Sequence, residues 1–221
     1  DKQGNPIRDA AIEITINGKT YTKTTDEKGV VSLGLSLDSG IYTVTVNFKG
    51  LLNYTPITRQ AKVTIEPTVK GLDVVKMFRN NTQYYAIFTD SQGNPLKNKD
   101  IQFNINGVFY TKTTNDKGIA MMGINLNPGK YVITAINLVT GEQSGNNITV
   151  KSLIVQNDLT KYYLNASRFQ TTIYNKDGSL AANKEVTFNI NGVFYHKKTD
   201  ENGIASLGIS LRPGEYIITT M

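Results

Sequence analysis

Three stretches of the 221-residue chain copy one another: Asp1–Val46, Asp90–Ala135 and Asn175–Thr220, whose starts lie 89 and 85 residues apart. Such a period is too long for a solenoid coil of roughly 20–50 residues and matches a whole β-sandwich module. It also overrides the one or two domains that length alone suggests. Within the middle copy the pattern has period two. Ile101, Phe103 and Ile105 alternate with Gln102 and Asn104, as in a half-buried strand. Asn106-Gly107 then supplies the two positive-φ positions of a type I′ hairpin, and Asn17-Gly18 and Asn191-Gly192 recur at the same place.

Extending this reading predicts seven short strands in the middle copy: Leu72–Arg79 (A), Gln83–Thr89 (B), Ile101–Ile105 (C), Val108–Thr114 (C′), Ile119–Leu126 (E), Tyr131–Ile136 (F) and Asn146–Lys151 (G). Turn clusters at Ser91–Pro95, Asn115–Gly118 and Pro128-Gly129 separate them. No segment has a helical period. Apolar residues make up 39% of the chain, enough for cores, and they are mostly β-branched or aromatic, which favours the pleated sheet. The expected fold is all-β: tandem immunoglobulin-like Greek-key β-sandwich modules forming an elongated rod. The boundaries are 1–66 for a module lacking strands A and B, 67–152 for a complete one, and 153–221 for one lacking strand G. Links at Glu66–Lys70 and Lys151–Asn157 are short, which predicts a stiff array and a chain that is part of something longer.

The residue inventory narrows the chemistry. With no cysteine there is neither a disulfide nor a thiolate metal site. One histidine, His196, stands where Thr22 and Thr111 occur in the other copies and reads as a surface residue rather than part of a catalytic triad. The turns Asp26–Gly29, Asn115–Gly118 and Asp200–Gly203 carry polar oxygens but lack calcium-loop spacing. Asx-turn bonding explains them without a metal, so no metal and no cofactor is expected. A net charge of +6 comes from scattered basic residues, read as solvated faces or as contacts to anionic wall polymers or glycans. The aromatics alternate singly along strands, which argues against a nucleic-acid stacking platform. No apolar run approaches a membrane span. Tyr42, Tyr131 and Tyr216 each open strand F, the place of a tyrosine corner, although an ordinary half-buried strand Tyr fits too.

Two further patterns stand out. Asn-x-Ser/Thr sequons begin at Asn53, Asn80, Asn147 and Asn165, the second and fourth equivalent by 85 residues. Lysines also fall on core-facing rows: Lys76 with Leu72, Val74 and Phe78, and Lys161 with Leu159 and Tyr163. A buried lysine is costly unless paired or neutralised. In strand G, Asn146 shares its inward face with Ile148 and Val150. Strands A and G of Ig-like sheets run side by side, so Lys76 and Asn146 are expected to form an intramolecular isopeptide bond, with Asp90 as assisting acid. The alternative is a lysine that snorkels to the sandwich edge. Lys161 is the possible second isopeptide lysine, without its strand G partner.

The stretches NINGVFYTKTTNDKGIAMMGINLNPGKYVITAINLVTGE (Asn104–Glu142) and NDLTKYYLNAS (Asn157–Ser167) resemble the Ig-like repeats of large adhesin-like surface proteins of methanogenic archaea. The resemblance spans the chain and is sharpest in FNINGVFY, NLNPGKY and TKYY-N. The first copy departs from it, with LDSG for NLNPG. The resemblance implies secretion to the cell surface, repeat-built stalks, contact with cell-wall polymer or other cells, and no enzymatic activity. Two readings follow: a stalk or spacer segment of an adhesin, or a segment of a filament or surface layer assembled through neighbouring modules of the same or identical chains.

Overall fold

The computed structural model describes residues 3–51 and 54–221, and all regular elements among them are strands. The chain divides into two compact units, Asp1–Pro67 and Thr68–Met221. The first unit is one antiparallel sheet of β1 (Ala11–Ile16), β2 (Lys19–Thr24), β3 (Gly40–Phe48) and β4 (Ile57–Ile65), ordered β2-β1-β3-β4. These are strands C, C′, F and G. Ile12, Ile14 and Ile16 point to its buried face, as the alternation predicts. The stretch equivalent to strand E, residues 30–37, forms no strand here. In the middle repeat strand E pairs only with strand B, and no B strand is described in the first unit.

The second unit holds two sandwiches, each with its own core. The middle repeat comprises β5 (Val69–Gly71), β6 (Val74–Met77), β7 (Gln83–Phe88), β8 (Asp100–Ile105), β9 (Val108–Thr113), β10 (Ile119–Gly123), β11 (Gly129–Ile136) and β12 (Gln143–Lys151). One sheet runs β10-β7-β5 and the other β6-β12-β11-β8-β9. Phe103, Phe88, Tyr84, Ile101, Ile133 and Ile148 fill the space between them, Tyr84 meeting Phe103 edge-on at 5.3 Å between centroids. Ile105 is buried in this core, and Leu126 and Tyr131 pack against it as expected. The third repeat comprises β13 (Ile154–Gln156), β14 (Arg168–Ile173), β15 (Glu185–Ile190), β16 (Val193–Lys198), β17 (Ile204–Gly208) and β18 (Ile218–Thr220). Its sheets run β13-β14-β17 and β16-β15-β18 around Phe169, Val186, Phe188, Ala205 and Leu207. The Asn-Gly hairpins have positive φ at both residues in every copy, for example 53° and 77° at Asn106 and Gly107.

Strand A departs from the sequence reading. It is two strands, not one run over Leu72–Arg79. β5 pairs antiparallel with β7, and β6 then pairs parallel with β12 in the opposite sheet. Leu72, expected on the core row, lies in the crossing segment and is 64% exposed. Val69, assigned to a linker, is buried in β5, and the link Lys151–Asn157 is mostly strand: β12 reaches Lys151 and β13 begins at Ile154. In the third repeat the equivalent of β6 forms no strand. Leu159 packs on the core, whereas Tyr163, expected to face inward, is exposed. A parallel edge strand has no ladder to join where no strand G is described.

Candidate functional site

Three sets of polar residues that recur in every copy bond backbone of their own repeat. Asp26, Asn115 and Asp200 each use Oδ1 to accept two turn N–H groups: Lys28 and Val30, Lys117 and Ile119, Asn202 and Ile204, at 2.9–3.0 Å. Neutral Asn115 does the same work as the aspartates, so the turn needs an acceptor and not a charge. The glycine closing this turn, Gly118, has φ +72°, and a Cβ there would strike Phe88 O. Among the described residues no group of three or more His, Asp or Glu side chains is arranged to hold a metal ion.

The tyrosines form the corner. Tyr42, Tyr131 and Tyr216 donate their hydroxyls to the carbonyls of Asp38, Asn127 and Arg212, four residues upstream, at 2.8–2.9 Å. A buried threonine does similar work at the end of strand C′, and sequence reading had passed over it. Thr25, Thr114 and Thr199 donate to Ile7 O, Leu96 O and Ala181 O and accept from Ala10, Lys99 and Lys184 N–H. Its signal was present: the same residue type just before the same turn in all three copies.

Lys76 is inward-facing as predicted and only 5% exposed, but its partners are not the expected one. Its ammonium donates to Ile124 O at 2.7 Å and Thr82 O at 3.3 Å. Lys161 repeats this with Ile209 O at 2.9 Å and Ser167 O at 3.0 Å, preserving the sequence offsets of 48 and 6. The lysine ties strand A to the A–B turn and to the end of strand E. Burial holds the Lys76 amine below lysine's usual pKa.

The structure does not bring Lys76 and Asn146 together. In the parallel pair of β6 and β12, Lys76 stands opposite Val150, four residues beyond Asn146. At about 3.3 Å per residue that is an offset of about 13 Å, beyond the reach of a lysine side chain. Asn146 instead accepts the Tyr84 hydroxyl at 2.7 Å, and its side chain also bonds the Asp73 carboxylate. Asp73 further accepts from Asn147 N and Nδ2, at 2.8 and 3.1 Å, and these bonds hold its pKa down. Burial, with Asp73 nearby, pushes the Tyr84 hydroxyl up to about 12. Gly71 closes the cluster, because a Cβ there would collide with Tyr84 OH and Asn146 Oδ1. This is the point where strand A leaves one sheet for the other. Asp90, the expected assisting acid, sits at the opposite end of β7. It accepts from Gln92 N and Asn94 N at 2.9 Å in its own turn, with its pKa lowered mainly by Asn94.

The other predicted residues separate. His196 is exposed and shares a 3.0 Å hydrogen bond with Thr187 across the strand pair. Asn53 lies outside the described residues. Asn147 is in β12; Asn80 and Asn165 occupy the A–B turns. One polar hub was not legible, because the first copy has Phe48 in its place: buried Asn137. Its Nδ2 donates to Thr89 O and Thr68 Oγ1, and its Oδ1 accepts Val139 and Thr140 N–H. It ties the F–G loop to the start of strand A.

Middle and third repeats meet directly. Asn80 Nδ2 donates to Lys176 O at 2.8 Å, and a cleft of about 530 Å³ between them is lined by Met77, Val150, Lys151, Val155, Tyr174 and Gly178. Its titratable lining residues are Lys130, Lys151 and Tyr174. The exposed apolar side chains of strand C′ form a second feature. β9 and β16 are free sheet edges whose residues are all exposed, including Val108, Phe109, Val193 and Phe194.

No family model and no curated protein matches the chain. Among solved structures it is similar to a Ca²⁺-stabilised adhesin with which an Antarctic bacterium binds ice (18% identity, 98% of this chain and 64% of that one, TM-score 0.26). It is also similar to a 1.5-MDa bacterial ice-binding adhesin (16%, 96% and 83%, 0.25) and to invasin, a bacterial integrin-binding protein (16%, 100% and 51%, 0.29). The chain thus spans 64% of the length of the first. Similarity this distant transfers none of their calcium, ice or integrin binding. No helix among the described residues is long and apolar enough to cross a membrane. The chain is an all-β series of immunoglobulin-like sandwich repeats.

Proposed function

We propose that this segment is a structural spacer in the stalk of an extracellular surface adhesin, holding a binding region away from the cell rather than binding or catalysing itself. One observation carries the reading. The recurring polar side chains at the turns, the tyrosine corners, the buried threonines and the strand A lysines all bond backbone of their own repeat. A catalytic or ligand-binding repeat keeps polar groups free to converge on a shared site; these are spent on backbone of their own repeat. The short connection between β12 and β13, with the bond from Asn80 to Lys176, suits a segment whose job is to keep its length. Reinforcement comes from lysine–carbonyl bonds in place of the expected covalent one.

Lateral assembly into a filament is the second reading, favoured by the free β9 and β16 edges with their exposed Phe109 and Phe194. Sedimentation velocity over a wide concentration range separates the two. The spacer reading expects a monomer throughout. Concentration-dependent polymers that disappear in the Phe109→Lys, Phe194→Lys double variant would replace it with the filament reading.

A further inference from the structure

We propose that Asn165 is the acceptor of an N-linked glycan, and that the joint between the middle and third repeats withholds this modification from the equivalent Asn80. The two sequons share a local fold. Each asparagine follows a residue of positive φ, Arg79 at 58° and Leu164 at 61°. Each uses its Oδ1 to accept the N–H two residues on, from Thr82 and from Ser167, both at 2.8 Å. By sequence and turn geometry alone they are the same acceptor.

Their surroundings differ. The nitrogen of Asn80 that would carry a sugar donates to Lys176 O, on the B–C turn of the third repeat, at 2.8 Å. The Thr82 hydroxyl of that sequon is also engaged, donating to Asn80 Oδ1. Asn80 is half-buried beside Arg79, Lys176 and Asp177. Asn165 is exposed, and its Nδ2 has no hydrogen bond among the described residues. The neighbouring Tyr162 and Leu164 project into solvent. Asn147 fails for a third reason. It lies within β12, paired with β11, and its Nδ2 donates to Asp73.

The chemistry requires this openness. The donor is a saccharide linked through phosphate to a polyprenyl lipid. Asn165 Nδ2 attacks the anomeric carbon and gives up one proton to a base of the transferase as a C–N bond forms. The C–O bond to phosphate breaks, and the polyprenyl phosphate leaves with the electron pair. An amide nitrogen held against a neighbouring repeat cannot approach that carbon, and a sequon inside a sheet cannot fold into a transferase site.

The test uses the folded 221-residue chain carrying Asn53→Gln, so that the undescribed sequon contributes nothing. An oligosaccharyltransferase first shown to modify free peptides spanning residues 74–88 and 157–175 is supplied with lipid-linked oligosaccharide. Glycopeptide masses are then read. The proposal expects one glycan, at Asn165, lost in Asn165→Gln and in Ser167→Ala, with Asn80 unmodified in the folded chain although its peptide is a substrate. An unmodified Asn165, or equal occupancy of Asn80 and Asn165, overturns it.

Discussion

The middle and third repeats are near-copies in sequence yet differ where strand A meets the opposite sheet. In the middle repeat Gly71, Tyr84 and Asn146 meet at the crossing and β6 pairs with β12. In the third, Gln156 replaces Gly71 and Phe169 replaces Tyr84, and the segment equivalent to β6 is not a strand. The third core has five buried apolar residues where the middle one has fifteen. Strand A is therefore built in two steps with different requirements. Its first half needs only strand B; its second needs the last strand of the repeat. The lysine works regardless, since Lys161 reaches the carbonyls equivalent to those of Lys76 where no such strand is described.

The largest expected effect sharpens the contrast between the cores. Phe103 and Phe188 are equivalent and fully buried. Phe103→Ala costs about 3–5 kcal/mol, lowering the midpoint of the middle repeat's thermal transition without removing it. Phe188→Ala abolishes the third repeat's transition, because its smaller core has less stability to lose. Calorimetry of the two variants checks this, and equal shifts would break the comparison.

Alkaline pH comes next. Tyr84 ionises near pH 10 when unfolded and about 12 when folded. Between those values the folded state binds the extra proton, so stability falls as pH rises, by about 2–3 kcal/mol in all. Lys76 works in the opposite sense: its lowered pKa favours folding as pH climbs above the folded value. Denaturant titrations of the parent and Tyr84→Phe, run side by side, cancel the lysine contribution. The difference should shrink through this window, and the third repeat, with Phe169, should lack the tyrosine term.

Lys76→Met leaves Ile124 O and Thr82 O without their donor and is expected to cost about 2 kcal/mol. Lys161→Met, at a more open site, costs under about 1 kcal/mol. Gly71→Ala forces apart the Tyr84–Asn146 pair at a cost of about 1 kcal/mol. Gln156→Ala stays within about 0.5 kcal/mol of the parent. Urea midpoints report all four.

These differences mark how far the sequence was legible. Period-two alternation placed the interior rows of β8, β12 and β15, and Asn-Gly placed the hairpins, because both signals are local. Alternation also showed that Lys76 points inward. It did not show what Lys76 meets, since the register of a parallel strand some 70 residues away leaves no mark on either segment. The switch of strand A between sheets was hidden for the same reason. Gly71 looked like a linker glycine until Tyr84 and Asn146 stood against it. The turn-bonded Asp26, Asn115 and Asp200 were readable because an Asx turn is complete within five residues. Asn137 and its partners, joining loops from opposite ends of the repeat, were not.

The middle repeat is closed by non-covalent pairing between its first and last strands, β6 and β12. Pulling single molecules from their two ends probes that closure. At about 3.4 Å per extended residue, a discrete rupture of the middle repeat is expected to release its whole length, a gain of about 25 nm. A Lys76–Asn146 crosslink would hold the intervening chain and cut the gain to about 5 nm or less. That short step, or extension with no discrete rupture, would mean the repeat is not held by this strand pairing.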